Sequence, residues 1–218
     1  MSVLILAGDS IMYGSWDPEG GWPGKLRNFL DTKALKESTP VELNTNKYVA
    51  LYNLGIPGDT SRGLLKRFTT EVLPRINEEQ RTIVLIAIGT NDAQFDFEDK
   101  EFEVPIEETS QNITELIHQA RKFSQDIVVI GLPPVDESKT APLYWVEGTH
   151  YTNENINKYN LAIQHIAEKE KVGFIDINKS LEAHDVTILM EDGIHPSHFG
   201  HKVMYEAIRD YLLKNKLI

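Results

Sequence analysis

The chain has 218 residues, 41% of them hydrophobic, which is enough to bury one sizeable core but short for two ordinary domains, so a single domain over residues 1–218 is predicted. Its formal net charge of -11 repels phosphate groups, which argues against nucleic acids and anionic membrane surfaces as partners and favours a small or neutral substrate. The lack of cysteine excludes disulfides, a thiolate nucleophile and a cysteine-ligated metal.

Short apolar, β-branched runs alternate along the chain with longer segments in which apolar residues recur every three or four positions. This alternation predicts crossover units and a parallel sheet. The five predicted strands, in chain order, cover residues 3–7, 49–52, 83–88, 127–130 and 172–177. Continuous hydrophobicity is typical of strands buried on both faces, and the third, which is the most apolar, is expected at the centre of the sheet.

Five helices are predicted from apolar stripes and boundary residues, at 22–30, 61–73 before Pro74, 106–120 after Pro105, around 156–166 and around 203–212. Two connections, residues 92–104 and 133–152, are longer than a compact crossover needs. Long loops in a tight domain are usually functional or disordered. Both leave the carboxyl ends of predicted strands, the edge where open α/β sheets bind their ligands.

The first strand runs directly into Gly8-Asp9-Ser10, a turn that would present a serine hydroxyl at that edge of the sheet. The same tripeptide is also common in ordinary turns. Asp9 is expected to stabilise the turn through nearby backbone N–H groups rather than to act as a second catalytic acid. The serine is therefore the candidate nucleophile.

The second and third strands are each followed by candidate oxyanion donors. Residues 53–61 contain Gly55 and Gly58, which allow close backbone approach, and Asp, Thr and Ser residues that can cap the next helix. An N-cap alone would explain this segment; the functional interpretation is that its backbone N–H groups face an anion or a developing oxyanion. Residues 89–92, Gly-Thr-Asn-Asp, bring the Asn91 amide to the same edge, with a simple turn as the alternative.

After the fifth strand, Asp192 lies three residues before His195 in a glycine-containing turn. This spacing allows the carboxylate to orient the imidazole while the other ring nitrogen faces a serine. One edge of the predicted sheet thus holds a nucleophile, a base, an orienting carboxylate and oxyanion donors. These are the groups that acyl transfer requires.

The four segments Gly-Asp-Ser, Gly-Asp-Thr, Gly-Thr-Asn-Asp and Asp-x-x-His, in this order from Gly8 to His195, resemble the sequence blocks of the SGNH (GDSL-type) hydrolases. The resemblance implies a flavodoxin-like, three-layer α/β/α sandwich with a five-stranded parallel sheet, no cofactor, and cleavage of a small-molecule acyl ester through an acyl-enzyme. The catalytic residues that it implies are Ser10, Asp192 and His195, and the oxyanion hole that it implies consists of Ser10, Gly58 and Asn91.

Several choices stay open within this resemblance. Gly58 directly precedes Asp59-Thr60 as in the family pattern, and Gly55 is the alternative oxyanion donor. The substrate class is open among carboxylic esters, carbohydrate O-acetyl groups, lysophospholipids and thioesters, and an alcohol could replace water in an acyltransferase. A flavodoxin-like binding module without chemistry is the competing class, although the sequence has no nucleotide-binding glycine loop to support it.

Two further groups of residues invite functional interpretations. His195, His198 and His201 recur every third position, as zinc ligands could, but the last two are expected in the first turns of a helix capped by Ser197, and no metal is predicted.

Aromatic side chains near the nucleophile turn and in the two long connections are expected either to line an acyl or leaving-group pocket or to pack the loops down. They are Trp16, Trp22, Phe95, Phe97, Tyr144, Trp145 and Tyr151.

The N-terminal apolar run covers only residues 3–7, shorter than the ~7 to 15 residues of a signal-peptide core, and no basic residue precedes it. No uninterrupted apolar stretch approaches the ~20 residues that a membrane helix needs. These features predict a chain without a membrane span and favour a cytoplasmic location. They say nothing about the oligomeric state.

Overall fold

The computed structural model describes residues 1–36 and 48–218. Its strands are β1 (Ser2–Gly8), β2 (Val49–Gly55), β3 (Arg81–Ala87), β4 (Phe95–Asp96), β5 (Glu101–Phe102), β6 (Asp126–Ile130), β7 (Thr149–His150) and β8 (Gly173–Ile175). Five of them form a parallel sheet in the order β2-β1-β3-β6-β8. This confirms the predicted five-stranded parallel sheet, and the third predicted strand, β3, lies at its centre.

The helices in the described residues are α1 (Ser10–Tyr13), α2 (Gly21–Lys36), α3 (Ser61–Val72), α4 (Ile106–Ala120), α5 (Glu137–Thr140), α6 (Asn153–Lys169), α7 (Ile177–Leu181), α8 (Val186–Leu189) and α9 (His198–Lys214). The five predicted helices correspond to α2, α3, α4, α6 and α9. The other four have four or five residues each and are not predicted from the sequence. None of the described helices is both long and apolar enough to cross a bilayer.

The sheet lies between two layers of helices, because alternate strand residues point to opposite faces. On β1, Val3, Ile5 and Ala7 pack into one core with residues of α3, α4 and α6, whereas Leu4 and Leu6 pack into a second core with residues of α2, α7 and α9. The three-layer α/β/α prediction is therefore confirmed. The strand order is that of flavodoxin-like doubly wound sheets.

Some predicted boundaries are wrong for local reasons. The fifth strand is predicted to reach residue 177 but ends at Ile175, because the Asp176 side chain accepts a hydrogen bond from the Lys179 N–H and caps α7. The first long helix continues to Lys36 instead of ending at residue 30. Beyond α3, residues 73–75 continue as one turn of 3₁₀ helix that contains Pro74.

The two long connections are ordered against each other in a small antiparallel sheet. Strand β4, from the first connection, pairs with β5 on one side and with β7, from the second connection, on the other. Phe95 packs edge-on against Phe97 and Phe102, with ring centroids 5.0 and 5.1 Å apart. The small sheet thus builds a wall beside the carboxyl ends of β3 and β6.

Candidate active site

Ser10 begins α1 immediately after β1, at the carboxyl edge of the parallel sheet. The Asp9 side chain accepts a hydrogen bond from the Ile11 N–H at 2.9 Å and so caps this short helix. Gly14 ends it in a left-handed conformation, with φ of 90°. The turn after β1 therefore holds the serine at the carboxyl edge of the sheet, as the sequence predicts, and a short helix that is not predicted begins at this serine.

A chain of hydrogen bonds joins three of the predicted site residues. The Ser10 Oγ lies 2.8 Å from His195 Nε2, and His195 Nδ1 lies 2.7 Å from Asp192 Oδ2. The other carboxylate oxygen, Oδ1, accepts the backbone N–H groups of Ile194 and His195 at 3.0 and 2.8 Å. With Nδ1 donating to the carboxylate, Nε2 is the ring nitrogen that can accept the serine proton.

The environment of Asp192 keeps its carboxylate ionised. Burial disfavours the charge, but the hydrogen bonds from the His195 side chain and backbone outweigh burial and lower the pKa of Asp192 to about 2. A fixed negative charge therefore faces the imidazole across the pH range in which most proteins are folded. Such a charge stabilises an imidazolium without taking its proton.

Gly55 and Gly58, at and after the end of β2, meet different structural requirements. A Cβ on Gly55 would lie 2.3 Å from the Tyr13 backbone N, so this glycine lets β2 pack tightly against the nucleophile turn. Gly58 has open space around its Cα, but its φ of 77° is a conformation that favours glycine. Gly58 lines the cleft beside Ser10, and its N–H donates to no acceptor in the described part of the chain.

The Asn91 side chain reaches the same cleft from the end of β3. Its Nδ2 donates a hydrogen bond to the Asp59 carbonyl at 2.8 Å, which uses one of its two amide hydrogens. Its Oδ1 lies 3.3 Å from the Tyr151 hydroxyl, whose single proton is donated to Gln94 Oε1 at 2.7 Å. The Asp59 carbonyl thus orients the amide nitrogen, and the amide oxygen faces the Tyr151 side chain.

The cleft above Ser10 has a volume of about 670 Å³ and is lined by residues from five segments of the chain. Of the aromatic residues proposed from the sequence, Trp16, Trp145 and Tyr151 line it. Trp22 is instead fully buried in the core, and Phe95, Phe97 and Tyr144 are not among the lining residues. The residues that line the cleft are Ser10, Tyr13, Ser15, Trp16, Pro57, Gly58, Thr60, Asn91, Gln94, Glu103, Leu143, Trp145, Val146, Tyr151, Ile194 and His195.

Tyr13, Leu143 and Val146 are lining residues that sequence reasoning missed. Tyr13 carries a signal that could have found it, because it follows Ser10 by three residues in the turn after the first strand. Leu143 and Val146 carry no such signal in the sequence, because their position in the cleft wall depends on how the second long connection folds back over the sheet. The cleft wall is therefore less predictable than its floor.

The family model of the GDSL-like lipases and acylhydrolases matches residues 6–203, which is nearly the whole chain. The chain belongs to this family. It is accordingly an ester-hydrolysing enzyme, in agreement with the resemblance carried by the four sequence blocks.

Curated relatives are named as esterases, and solved structures share the fold. The chain is 28% identical to an isoamyl acetate-hydrolyzing esterase of Saccharomyces cerevisiae, over 94% of this chain and 83% of the relative, and 27% identical to a GDSL esterase/lipase of Arabidopsis thaliana with the same coverage. A lipase/acylhydrolase from Enterococcus faecalis shares the fold with a TM-score of 0.75 at 22% identity, over 97% of this chain and 95% of that one.

An acetylxylan esterase from Geobacillus stearothermophilus also shares the fold, with a TM-score of 0.68 at 19% identity over 95% of this chain and 92% of that one. Two solved structures of that esterase are of catalytic mutants, one with a serine replaced by alanine and the other with a histidine replaced by alanine.

Asp9 and Asp92 are buried carboxylates of this GDSL-like hydrolase that lie outside the hydrogen-bonded chain. Burial raises the pKa of Asp9 to about 7 and also raises the pKa of Asp92. Asp92 accepts the Ser61 N–H and the Thr109 hydroxyl, each at 2.8 Å, and so joins the starts of α3 and α4. The last residue of the third block therefore holds two helices in place.

The three regularly spaced histidines of the GDSL-like hydrolase face different partners. His198 lies 3.2 Å from Asp17, whereas the buried His201 lies 3.2 Å from the Ser15 carbonyl and accepts the Trp22 N–H at 3.3 Å. Burial lowers the pKa of His201 to about 4, so the ring is neutral at pH 7. As predicted, both lie in the first turns of a helix, α9, that Ser197 caps.

One group of potential metal ligands occurs among the described residues, formed by Asp17, Glu19 and His198. The Lys25 ammonium lies within the group, 3.2 Å from Asp17 Oδ2, 2.8 Å from Glu19 Oε2 and 3.4 Å from His198 Nδ1. A cationic side chain therefore already neutralises these carboxylates.

Proposed function

We propose that the chain hydrolyses esters of short carboxylic acids, acetyl esters above all, with small uncharged alcohols, through an acyl-enzyme on Ser10. The observation that carries this proposal is the chain of short hydrogen bonds from Ser10 through His195 to Asp192, on the floor of a cleft that Gly58 and Asn91 also line. Nucleophile, base, orienting carboxylate and oxyanion donors then surround one reacting carbon.

In the acylation step, the Ser10 Oγ bonds to the acyl carbon while its proton passes to His195 Nε2. The carbonyl oxygen becomes an oxyanion, which the N–H groups of Ser10 and Gly58 and the second amide hydrogen of Asn91 stabilise. As the first residue of α1, Ser10 has an N–H without an intrahelical acceptor. The bond to the alcohol oxygen then breaks, and His195 returns the proton to that oxygen.

In the deacylation step, water occupies the place that the alcohol has left. His195 Nε2 takes a proton from the water, whose oxygen bonds to the acyl carbon, and the same donors hold the second oxyanion. When the bond to Oγ breaks, the proton passes to Ser10 and the carboxylic acid leaves. Asp192 stabilises the imidazolium in both steps and keeps its own charge.

The cleft walls support an uncharged substrate. Among the described residues that line the cleft there is no lysine or arginine, and one carboxylate, Glu103, is present. An anionic head group would find no cationic partner and would be repelled by the net charge of -11. Leu143, Val146 and Ile194 provide apolar contacts for the carbon atoms of a small ester.

The relatives support an acetyl ester as the preferred substrate. The yeast relative is named for the hydrolysis of isoamyl acetate, and the Geobacillus neighbour in fold is named for acetylxylan. Both named substrates carry an acetyl group on different alcohols. The cleft of about 670 Å³ has room for such an ester together with its alcohol.

The decisive experiment compares the wild type, Ser10→Ala and Ser180→Ala with p-nitrophenyl esters of increasing acyl length. Ser180 is the control because its hydroxyl donates to the carbonyl of Asp176, the residue before α7, at 3.3 Å, and because it is not among the residues that line the cleft. We expect Ser10→Ala to lose at least ~10³-fold in kcat and Ser180→Ala to match the wild type. Activity that survives in Ser10→Ala contradicts the proposed mechanism, and a maximum beyond eight acyl carbons contradicts the proposed substrate class.

A second candidate is the deacetylation of a carbohydrate, which the exposed aromatic residues at the cleft mouth favour. Trp16 is 65% exposed and Tyr13 57% exposed, and Trp16 has a φ of 66°, which is unusual for a bulky residue. Exposed aromatic rings can stack on sugar rings. The test compares isoamyl acetate with an acetylated xylooligosaccharide by the release of acetate, and we expect isoamyl acetate to have the higher kcat/KM. A higher kcat/KM for the acetylated sugar that is lost in Trp16→Ala would make carbohydrate deacetylation the preferred function.

A further inference from the structure

Arg67, on α3, has hydrogen-bond partners in several segments around the site. Its side chain is 15% exposed, and its guanidinium contacts two carboxylates and two backbone carbonyls. The Asp59 and Glu71 carboxylates each lie 2.7 Å away, and the Leu54 and Gly8 carbonyl oxygens accept hydrogen bonds at 2.8 and 2.9 Å. An arginine has five N–H donors, so these contacts occupy nearly its whole donor capacity.

The two carbonyl contacts join the ends of neighbouring strands. Gly8 ends β1 two residues before Ser10, and Leu54 is the last residue but one of β2, four residues before Gly58. One planar group therefore sets the distance between the segment that carries the nucleophile and the segment that carries a proposed oxyanion donor. The Gly8 carbonyl also accepts the Ile56 N–H at 3.1 Å, which strengthens the same junction.

The contact between Arg67 and Asp59 extends this connection to Asn91, the third proposed oxyanion donor. Asp59 follows Gly58 directly, and its carboxylate accepts the Thr60 N–H at 3.0 Å as well as the Arg67 guanidinium. Its backbone carbonyl accepts the Asn91 amide at 2.8 Å. Fixing Asp59 therefore fixes both the peptide that presents the Gly58 N–H and the acceptor that orients Asn91.

We propose that Arg67 is a positioning residue for the oxyanion hole, which holds the Ser10, Gly58 and Asn91 donors at a common distance from the reacting carbonyl. This proposal rests on the function proposed above for those three residues. Arg67 is not among the residues that line the cleft, so its effect on the reaction passes through the groups that it holds.

The chemistry of the guanidinium explains why the position needs an arginine. Its donors point outward from one rigid plane, so carbonyls and carboxylates on opposite sides are held at fixed angles. A lysine keeps the positive charge but carries its donors on a single flexible atom, which cannot span the Gly8 and Leu54 carbonyls and both carboxylates. Misplacing catalytic groups by ~1 Å can cost ~10²-fold in rate.

The test measures p-nitrophenyl acetate hydrolysis by Arg67→Lys and Arg67→Met, with kcat expressed per active site titrated with a phosphonate. Arg81→Lys is the matched control, because Arg81 also pairs with a carboxylate, that of Asp126 at 2.5 Å, and with a carbonyl, that of Lys216 at 3.0 Å, away from the cleft. We expect kcat to fall ~10²-fold in both Arg67 variants while KM stays within about twofold. Arg81→Lys keeps the wild-type kcat.

A second readout separates positioning from a loss of stability. An alkyl boronic acid forms a tetrahedral anion on the serine and so depends on the oxyanion hole. We expect its Ki to rise in proportion to the fall in kcat in Arg67→Lys. When Arg67→Lys is combined with Asn91→Ala, the further fall in kcat that Arg67→Lys causes should be much smaller than in the wild-type background. The reason is that both substitutions remove the same stabilisation of the oxyanion.

The outcomes distinguish the two proposals. If Ser10→Ala abolishes hydrolysis but both Arg67 variants keep the wild-type kcat per titrated site, the positioning role is wrong and the proposed mechanism stands. A lower melting temperature with unchanged kcat and boronic-acid Ki also overturns the positioning role, since it assigns Arg67 to stability alone. If hydrolysis survives Ser10→Ala, the proposed mechanism fails and the positioning role fails with it. Arg67→Lys keeps the test decisive should Arg67→Met not fold.

Discussion

The Asn91 side-chain amide donates to the Asp59 carbonyl at 2.8 Å and thereby turns its second amide hydrogen away from that carbonyl. A primary amide has two donors, so one remains for an acceptor in the cleft that Asn91 lines. The backbone segment that follows Gly58 thus orients the side chain at the end of β3. Two of the proposed oxyanion donors are coupled through one peptide group.

We expect Asn91→Ala to lower kcat by ~10²- to 10³-fold with little change in KM, because its amide would bind the oxyanion and not the ground-state ester. The measurement is steady-state hydrolysis of p-nitrophenyl acetate. Asn112→Ala is the control, since that amide donates to the Ser61 hydroxyl at 2.9 Å and lies outside the cleft. A kcat for Asn91→Ala within threefold of the wild type would remove Asn91 from the oxyanion hole.

Asp192→Asn should lower kcat by the order of 10²- to 10⁴-fold, because its oxygen would accept the Ile194 and His195 N–H groups and leave the NH2 group facing His195 Nδ1. This arrangement favours the wrong imidazole tautomer, and the neutral amide does not stabilise the imidazolium. Because the pKa of Asp192 is about 2, protonation of this carboxylate should not limit the wild-type rate at any pH above ~4. The check is the pH profile of kcat/KM for both proteins.

Asp185→Asn supplies the matched control for Asp192. The Asp185 carboxylate accepts the N–H and the hydroxyl of Thr187 at 2.9 and 2.8 Å, and it caps α8. Its substitution should leave kcat unchanged. Equal losses in both aspartate variants would mean that the fall in Asp192→Asn reflects a general disturbance of this part of the chain.

The sequence predicts the sheet well because its strands are buried on both faces. A strand such as β3, whose residues 82–86 are all buried, produces a continuous apolar run that few other structures produce. The helices α4, α6 and α9 are each buried on one face and therefore carry apolar stripes. The candidate site could be located because Ser10, Asn91 and His195 lie directly after strands or in the turn before α9, and the carboxyl ends of parallel strands share one edge.

The features that escaped prediction depend on contacts between distant segments. Strands β4, β5 and β7 have two residues each, too few for any periodicity to appear. Trp22 is a candidate for the pocket on sequence alone because it follows Ser10 closely, yet it lies on the side of α2 that faces the core. The four partners of Arg67 become neighbours only when β1, β2 and α3 are packed together, so nothing in the local sequence marks this arginine.

Tyr151→Phe should lower kcat about 2- to 10-fold, because the hydroxyl that donates to Gln94 Oε1 at 2.7 Å also lies 3.3 Å from Asn91 Oδ1. Burial raises the pKa of Tyr151, so the phenol stays protonated and remains a donor at neutral and mildly alkaline pH. Its loss would allow the Asn91 amide to sample other orientations. The measurement is kcat at pH 8.

Tyr159→Phe is the control for Tyr151, since its buried hydroxyl donates to the Val104 carbonyl at 2.7 Å in the core. We expect this variant to lose ~1 kcal/mol in the free energy of unfolding and to keep its kcat. A Tyr151→Phe variant that loses stability to the same extent and keeps its kcat would show that the Tyr151 hydroxyl only packs the second connection against the sheet.

Asp9→Asn should change the pH dependence of stability rather than the fold. Asp9 is 3% exposed, and burial raises its pKa to about 7 from 3.8. Between these two values the folded protein binds more protons than the unfolded chain, so ionisation of Asp9 lowers the free energy of unfolding as pH rises, by at most ~4 kcal/mol. Asparagine cannot ionise, and its amide oxygen can still accept the Ile11 N–H.

The measurement is urea unfolding of the wild type and Asp9→Asn at pH 4.5, 6 and 8. His201 acts in the opposite direction in nearly the same range, because burial lowers its pKa to about 4 from 6.5 and its stabilising effect is lost as pH falls. The difference between the two proteins cancels this contribution and isolates Asp9. We expect Asp9→Asn to gain stability relative to the wild type from pH 4.5 to pH 8; a constant difference would mean that Asp9 is already ionised throughout this range.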